Sequence, residues 1–334
     1  MQHNTLQSPH FVQLHHPTPD TVHPELIAGL QETPARIAPK FLYDPLGSRL
    51  FDAITELPEY YPTRTEAALF AQHGAEMARY LPDGAVMVDL GAGSCAKAAR
   101  LFPVLQPAAY VAVDISVDYL RDTLAQLQQR HPDLPMLGLG MDFSARFTLG
   151  PVASDWLAER ALAEQPRLVF YTGSSIGNFM PTEALTLLRQ AHAVCAAGGP
   201  GGGLLIGVDR VKPVAVLEPA YDDALGVTAA FNRNLLLHVN RLLGSNFVPA
   251  AWQHVGLYNA AESRIEMHLQ AIGPQTARWP GGERVFADGE RLHTENSYKW
   301  EPVDFEALLR EAGFGATRHW TDAKGWFSVF WAEC

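Results

Sequence analysis

The sequence predicts an α/β protein with a doubly wound, mostly parallel sheet that ends in an antiparallel C-terminal hairpin, plus a smaller, discontinuous α+β domain. Two apolar runs carry this prediction. Residues 86–90 lead into a turn that contains Gly91 and Gly93, and residues 110–114 end at Asp114. Mostly apolar runs of this length are typical of strands whose two faces are both covered by helices. A tight glycine turn and an acid at the ends of neighbouring strands indicate a nucleoside-binding site.

The alternation of helices and strands continues along the chain. Apolar residues at helical spacing, short apolar runs and glycine or proline turns mark the further elements. Helices are expected over residues 65–80, 118–131, 184–197 and 304–313, and strands over residues 167–171, 203–209, 316–321 and 327–332. The last helix and the two strands after it predict the antiparallel end of the sheet.

The acids at the strand ends indicate which nucleoside binds. Asp114 is placed to accept the ribose hydroxyls, and a second acid, Asp142, is placed to meet an adenine amino group. Asp89 precedes the turn, and Ala96 stands where a dinucleotide site often has a third glycine. A carboxylate beside the turn repels a pyrophosphate and suits a cationic sulfonium. This spacing resembles class I S-adenosylmethionine-dependent methyltransferases, and a nicotinamide dehydrogenase is the weaker enzyme alternative.

Composition narrows the class of partner. The chain has 334 residues, a net charge of −11, 47% hydrophobic and 18% charged residues, which is typical of a soluble globular protein. No cluster of Lys and Arg is present, so no nucleic-acid partner is expected, and no apolar run is long enough to span a bilayer. Cys95, Cys195 and Cys334 are far apart, which predicts no metal site and reduced thiols in a cytoplasmic protein. We expect a monomer that acts on a small molecule.

Longer sequence blocks resemble a particular family. Residues 40–52 and 57–66 are similar to the signature of the histidine-specific Nα-methyltransferases, which make hercynine, the trimethylated precursor of ergothioneine. Further blocks in family order cover residues 173–178, 221–232, 263–269 and 294–297. The resemblance covers nearly the whole chain after its first residues. It implies a Rossmann-like class I methyltransferase fold and S-adenosylmethionine-dependent trimethylation of the α-amino group of L-histidine.

The resemblance also implies roles for individual residues. The positions that match the family's cofactor contacts are Gly91, Lys97, Asp114, Asp142 and Phe143. Those that match its histidine contacts are Asn178 and Tyr221 for the α-carboxylate and amino group, Tyr60, Glu295 and Ser297 for the imidazole, and Met267 for the pocket wall. Asn178, Tyr43 and Tyr221 are the expected catalytic residues, with Tyr43 beside the amine or a water. Phe51 and Phe231 are expected to pack on the ring or on the methyl groups.

The predicted domain organisation follows from a segment that the parallel sheet does not need. Within it, residues 264–270 alternate with Ile265, Met267 and Leu269 on one strand face. The organisation expected is a flexible leader over residues 1–20, a substrate-binding or lid domain over residues 21–64 and 211–293, and an S-adenosylmethionine-binding methyltransferase domain over residues 65–210 and 294–334.

Two other functions remain open from the sequence. The same fold could methylate the α-amine of another amino acid, such as tryptophan or tyrosine, although Glu295 and Ser297 argue for imidazole. A non-catalytic nucleoside-binding protein is the alternative from a different class, and the substrate-side matches argue against it. Asn296 is polar where we expect the residue between Glu295 and Ser297 to vary, so its role is a question for the structure.

Overall fold

The computed structural model describes residues 8–14 and 16–334, which divide into two compact units. The first unit contains the described residues up to position 14, Pro62–Arg210 and Trp300–Cys334, and the second contains His16–Tyr61 and Val211–Lys299.

The described residues contain thirteen strands. In chain order they are β1 His10–Gln13, β2 Val86–Leu90, β3 Ala109–Asp114, β4 Met136–Gly140, β5 Pro166–Tyr171, β6 Gly199–Asp209, β7 Trp252–Asn259, β8 Arg264–Ala271, β9 Gln275–Trp279, β10 Gly282–Phe286, β11 Arg291–Tyr298, β12 Thr317–Thr321 and β13 Phe327–Glu333.

The same part of the chain contains ten α-helices, and four short 3₁₀ turns accompany them. The helices are α1 Pro19–Gln31, α2 Pro45–Thr55, α3 Tyr61–Met77, α4 Ala96–Leu105, α5 Val117–Arg130, α6 Gly150–Ala158, α7 Pro181–Ala196, α8 Val214–Leu217, α9 Val227–Leu243 and α10 Pro302–Glu311. In the described part of the chain, no helix is long and apolar enough to cross a membrane.

One eight-stranded sheet forms the centre of the first unit. Its strand order is β1-β4-β3-β2-β5-β6-β13-β12, with parallel pairing from β1 through β6. β13 runs antiparallel to both β6 and β12. From β2 the chain adds β3 and β4 on one side, and it then adds β5 and β6 on the other side of β2. The carboxyl ends of β2 and β3 therefore border the crevice in which such sheets bind ligands. The predicted doubly wound sheet with an antiparallel C-terminal hairpin is confirmed.

Helices cover both faces of this sheet because its strands are apolar on both sides. Every residue of β2, β3 and β4 is buried. On one face, helices α4 and α5 contribute side chains such as Phe102 and Leu124 to a core that also holds Met87. On the other face, α7 and α10 contribute Leu188 and Phe305. Helices packed on both faces in this way hold the strand ends, and therefore the loops after them, in fixed positions.

The first strand was not expected from the sequence. Residues 10–13 pair in parallel with β4, with His10 opposite Leu137 and Gln13 opposite Gly140. The segment contains too few apolar residues to show strand alternation, and it is ordered because the edge of β4 offers backbone partners. The structure therefore differs from the flexible leader expected over residues 1–20, because β1 and the start of α1 lie within that range. Residues 1–7 and 15 of that leader lie outside the described residues.

The second unit is an α+β structure. β11, β8 and β7 form a three-stranded antiparallel sheet, and β9 pairs with β10. Helix α9 packs against α1 and α2 and against this sheet. The side chain of Asp44 caps α2 by accepting the Gly47 N–H at 2.7 Å, and it also accepts bonds from Asn234 and Arg241 on α9. Asp44 thus fixes the family-like segment that carries Tyr43.

The boundaries of the units differ slightly from the expected ones. The structure ends the second unit at Lys299 and not at residue 293. The reason is that β11 pairs along its whole length with β8, which a one-dimensional pattern does not show. Glu295 and Ser297, which the sequence analysis assigns to substrate, consequently lie in the second unit.

Candidate functional site

The glycine turn after β2 brings backbone to the carboxyl edge of the sheet. Gly91 has a φ of 67°, in the left-handed region that a side chain disfavours, and its N–H donates to the Val113 carbonyl at 2.9 Å. An added Cβ at Gly91 would lie 3.8 Å from Phe143 Cζ. The turn and Phe143, both predicted cofactor positions, are therefore neighbours in the first unit.

Asp114 lies at the end of β3 beside this turn. Its Oδ2 accepts the Gly93 N–H at 2.9 Å and its Oδ1 accepts the Ser116 N–H at 2.8 Å. Burial raises the pKa of Asp114, and the backbone N–H groups of Ser116 and Gly93 oppose that rise. These backbone bonds orient Asp114 at the end of β3.

The loop after β4 carries the next two predicted cofactor residues. Asp142 accepts hydrogen bonds from the backbone N–H of Ser144 at 3.1 Å and from its hydroxyl. Phe143 is half-buried and meets Tyr171 at the end of β5, with ring centroids 5.9 Å apart in an edge-on arrangement. The carboxyl edge of the sheet therefore carries the glycine turn, Asp114, Asp142 and Phe143.

Lys97 is held by a glutamate to which the sequence analysis gave no role. Lys97 Nζ lies 3.0 Å from Glu66 Oε2, and Glu66 Oε1 accepts the Gly173 N–H at 2.8 Å. Glu66 is buried, with 1% of its surface exposed. Gly207 makes room for it, because a Cβ there would lie 2.0 Å from Glu66 Oε1. Glu66 stands in the family-like segment of residues 57–66, but its partners are distant in sequence, so spacing alone could not reveal the contact.

We expect Glu66→Gln to weaken cofactor binding. The glutamine oxygen can still accept the Gly173 N–H, but its amide would face Lys97 with a donor where the carboxylate accepts. The dissociation constant for S-adenosylhomocysteine should rise about three- to tenfold, since Lys97 is partly solvated and an exposed ion pair is weak. Calorimetry measures this. Glu183→Gln is the matched control, because Glu183 caps α7 at Met180 and should leave the constant unchanged; an equal effect of both variants would contradict the role of Glu66.

Asp89 is a buried acid just before the glycine turn. The Tyr110 hydroxyl donates to its Oδ2 at 2.6 Å. Burial raises the pKa of Asp89 to about 7, although the hydrogen bond from Tyr110 and the charge of Lys97 lower it. The Asp89 side chain therefore lies in the buried interior beside the glycine turn.

Stability should depend on pH through Asp89. Its pKa is about 7 in the folded chain and 3.8 in the reference state, so between these values the folded protein holds a proton that the unfolded chain has lost. The contribution of Asp89 to the free energy of unfolding therefore falls as pH rises from 3.8 to about 7 and is level above that. Asp89→Asn should become progressively more stable than the parent protein over this range, by a few kcal/mol at most. Urea unfolding at several pH values measures the difference, and a difference independent of pH would contradict it.

Asn178 is the predicted substrate residue that lies in the first unit. It ends the 3₁₀ turn Ser175–Asn178, directly after β5 and the left-handed Ser174. The Ser174 hydroxyl accepts the Asp209 N–H at 2.8 Å and so fixes the turn to the end of β6. Asn178 is half-buried at the carboxyl edge of the sheet.

The second unit brings Met267, Glu295 and Ser297 onto one face of its three-stranded sheet. Met267 on β8 is directly opposite Glu295 on β11, and Ser297 is opposite Ile265. A bulge at Thr294 shifts the register and brings Glu295 into this alignment. Met267, Glu295 and Ser297 are all buried. The predicted imidazole-side residues and the pocket wall are therefore close together.

Tyr221 joins this group through its hydroxyl. Its Oη lies 2.7 Å from Ser297 Oγ. Lys299, which the sequence analysis did not single out, donates from Nζ to Ser297 Oγ at 2.8 Å and to Tyr221 Oη at 3.0 Å. Only 3% of Lys299 is exposed. Lys299 follows a mostly polar strand, where a lysine normally lies in solvent, so no sequence signal marked it.

Five aromatic side chains form a continuous group next to these hydroxyls. Neighbouring rings have centroids 5.6–6.1 Å apart, mostly edge to face. The members are Tyr43, Phe51, Tyr60, Tyr221 and Phe231. The structure thus unites Tyr43, Tyr60 and Tyr221 with the two phenylalanines expected to pack on substrate.

Asn296 points away from this group. Its Oδ1 lies 2.9 Å from His293 Nε2, on the other face of β11. His293 also meets the ring of His268 at 5.1 Å, and burial lowers the pKa of His293 to about 4. Asn296 is therefore a partner of a half-buried, neutral histidine. In the described residues, no three His, Cys, Asp or Glu side chains are grouped so as to hold a metal ion.

Comparison with known proteins decides the family. Residues 22–334 match the model of the S-adenosylmethionine-dependent, histidine-specific methyltransferases. The chain belongs to this family. A histidine N-alpha-methyltransferase of Mycobacterium tuberculosis is 37% identical to this family member over 91% of the chain and 92% of the relative. The corresponding enzyme of Mycolicibacterium smegmatis is 38% identical over 90% and 91%.

A fungal relative is longer. Ergothioneine biosynthesis protein 1 of Neurospora crassa is 31% identical over 87% of the chain, which covers 32% of that protein. With these relatives, this member of the histidine-specific methyltransferase family is an S-adenosylmethionine-dependent methyltransferase, as the sequence predicted.

The first unit offers groups that fit this cofactor. The side-chain-free turn at Gly91 leaves space at the sheet edge, and Asp114 places a carboxylate beside that turn. Lys97 is a cation that suits an amino-acid carboxylate, and the Asp114 carboxylate suits a sulfonium.

Proposed function

We propose that this chain transfers methyl groups from S-adenosylmethionine to the α-amino nitrogen of L-histidine until it is trimethylated, which yields hercynine for ergothioneine biosynthesis. The observation that carries the proposal is the buried face of β11, where Glu295 and Ser297 lie side by side with the Tyr221 hydroxyl next to them. Neutral imidazole has one ring N–H donor and one ring acceptor. A carboxylate and a hydroxyl satisfy the two nitrogens together.

The residues proposed for the cofactor each have a chemical task. Asp114 would accept the ribose hydroxyls and Asp142 the adenine amino group, with Phe143 against the base and the Gly91 turn beside the sugar. Lys97, oriented by Glu66, would hold the methionine carboxylate. When bound, the cofactor supplies a methyl group on a positively charged sulfur.

On the substrate side, Asn178 and Tyr221 would hold the α-carboxylate and amino group, and Tyr43 would hydrogen-bond the amine directly or through a water. The amine would have to be neutral to accept a methyl group, so it would lose one proton before each of the three transfers. A free α-amine has a pKa of about 8, so no strong base is needed. Alignment of this kind contributes about 7–11 kcal/mol to the reduction of a barrier.

Repeated methylation makes the nitrogen a bulky apolar cation. Aromatic faces attract such cations, and Tyr43, Phe51 and Phe231 form the aromatic group of the second unit. This property supports a reaction that continues to the quaternary product. Met267, buried opposite Glu295, would form the wall that excludes larger side chains.

The competing substrate class is a larger aromatic amino acid. An indole has a ring N–H but no ring acceptor, and a phenol has no ring N–H, so either would leave a buried polar group unpaired. We expect kcat/KM for L-histidine to exceed that for L-tryptophan and L-tyrosine by at least about 10³-fold, in line with pockets built on hydrogen bonds. A higher kcat/KM for either rival would contradict the proposal.

We also propose that the enzyme acts as a monomer in the cytoplasm. Its three cysteines are all unpaired, as expected in a reducing compartment. Light scattering that gives the mass of one chain supports the first part, and a stable dimer contradicts it.

A further inference from the structure

Three polar groups in the second unit form a closed triangle. Lys299 Nζ donates to Ser297 Oγ at 2.8 Å and to Tyr221 Oη at 3.0 Å, and the two hydroxyl oxygens lie 2.7 Å apart. All three side chains are buried. Such a compact, buried arrangement constrains the direction of every proton in it.

The proton count of the triangle is fixed by chemistry. An ammonium group donates and never accepts, so both hydroxyl oxygens must each use a lone pair to accept from Lys299. One hydroxyl proton is then used between Tyr221 and Ser297. When Tyr221 donates to Ser297 Oγ, the Ser297 hydroxyl proton is directed to an acceptor outside the triangle.

We propose that Lys299 is a positioning residue that sets this polarity, so that the Tyr221–Ser297 pair presents a hydrogen-bond donor to a ring nitrogen of the substrate. The inference rests on the proposed function. Glu295, two positions from Ser297 on the same strand face, is the acceptor for the other ring nitrogen. With Lys299 in place, the pocket presents one acceptor and one donor. These match the one N–H and the one acceptor nitrogen of a neutral imidazole.

A different role for the buried cation is attraction of the substrate's α-carboxylate. The two roles predict different results, because every α-amino acid carries the carboxylate and few carry a ring acceptor. A ligand that tells them apart is β-(2-thienyl)-L-alanine. Its five-membered ring is close in size to imidazole but has neither a ring N–H nor a ring nitrogen acceptor.

The test compares binding of L-histidine and thienylalanine by calorimetry on protein saturated with S-adenosylhomocysteine. For Lys299→Met we expect the dissociation constant of histidine to rise about tenfold, the loss of one oriented hydrogen bond, with that of thienylalanine changed less than about threefold. Equal weakening of both ligands would assign Lys299 to the carboxylate and overturn the proposal. No change in either would overturn it as well.

A double-mutant cycle with Ser297→Ala shows whether Lys299 acts through the hydroxyls. If it does, Lys299→Met adds less than about threefold to the histidine constant once Ser297 is replaced. Fully additive effects would contradict the proposal. Lys212→Met is the matched control: Lys212 is another buried lysine of this unit, bonded to the Tyr61 hydroxyl at 2.8 Å, and its replacement should leave the ratio of the two constants unchanged.

Folding and function are separated by two further measurements. If Lys299→Met no longer binds S-adenosylhomocysteine, Lys299→Gln replaces it. Its amide can donate to both hydroxyls, so we expect a smaller loss of discrimination than tenfold, and a complete loss of discrimination would contradict the proposal.

If the parent protein does not methylate histidine, the proposed function and this inference both fail. If it does and discrimination is unchanged in the variants, only the inference fails.

Discussion

Asp114→Ala should abolish measurable binding of S-adenosylhomocysteine. The side chain is the acceptor at the end of β3, held by the Gly93 and Ser116 N–H groups. Its loss removes the acceptor of two ribose hydroxyls and leaves two backbone N–H groups without their partner. Hydrogen bonds to a charged group contribute about 1.5–3 kcal/mol each, so the dissociation constant should rise at least 100-fold.

The control for this prediction is Asp122→Ala. Asp122 is an exposed acid on α5, the helix that follows β3, and its replacement changes net charge by the same amount. Its dissociation constant should equal that of the parent protein. Circular dichroism shows whether Asp114→Ala remains folded. A folded Asp114→Ala variant that binds S-adenosylhomocysteine within a few-fold of the parent would remove Asp114 from the cofactor site.

Glu295→Ala should raise the KM for L-histidine with little change in cofactor affinity. The carboxylate is buried on β11 opposite Met267, and its removal leaves the imidazole N–H of bound histidine unpaired. That penalty is about 1–3 kcal/mol, or about 5- to 150-fold in KM. Initial rates at varied histidine and fixed, saturating S-adenosylmethionine measure it.

Glu295→Gln separates charge from hydrogen bonding. It keeps an acceptor oxygen at the same position, so its KM should lie between those of the parent and Glu295→Ala. S-adenosylhomocysteine binding should be the same in all three proteins. If the alanine variant retained the parent's histidine KM, the imidazole assignment of this strand face would be refuted.

Much of the fold could be predicted because buried strands leave a clear pattern. The runs that became β2 and β3 are apolar at every position but the acids Asp89 and Asp114, and each ends at a turn or an acid that marks its carboxyl end. The strand β1 escaped prediction since its order comes from the edge of β4 and not from its own residues. The boundary at Lys299 depended on a pairing between β11 and β8 that is not local in sequence.

The candidate site divides in the same way. Side chains that belong to a motif, such as Gly91 and Asp114, are visible in one dimension because the motif specifies local backbone geometry. Glu66 and Lys299 are not, because each acts through partners that folding brings to it from other elements. Buried charges of this kind are paired, and their partners are the information that a single sequence lacks.

The most direct test of the central claim is the product of the reaction with L-histidine. Purified protein is incubated with S-adenosylmethionine and histidine, and the product is analysed by mass spectrometry with fragmentation. We expect a mass gain of three methyl groups, all on the α-nitrogen and none on the ring. A methyl group on an imidazole nitrogen, or the absence of any methylated histidine when another amino acid is methylated, would contradict the account.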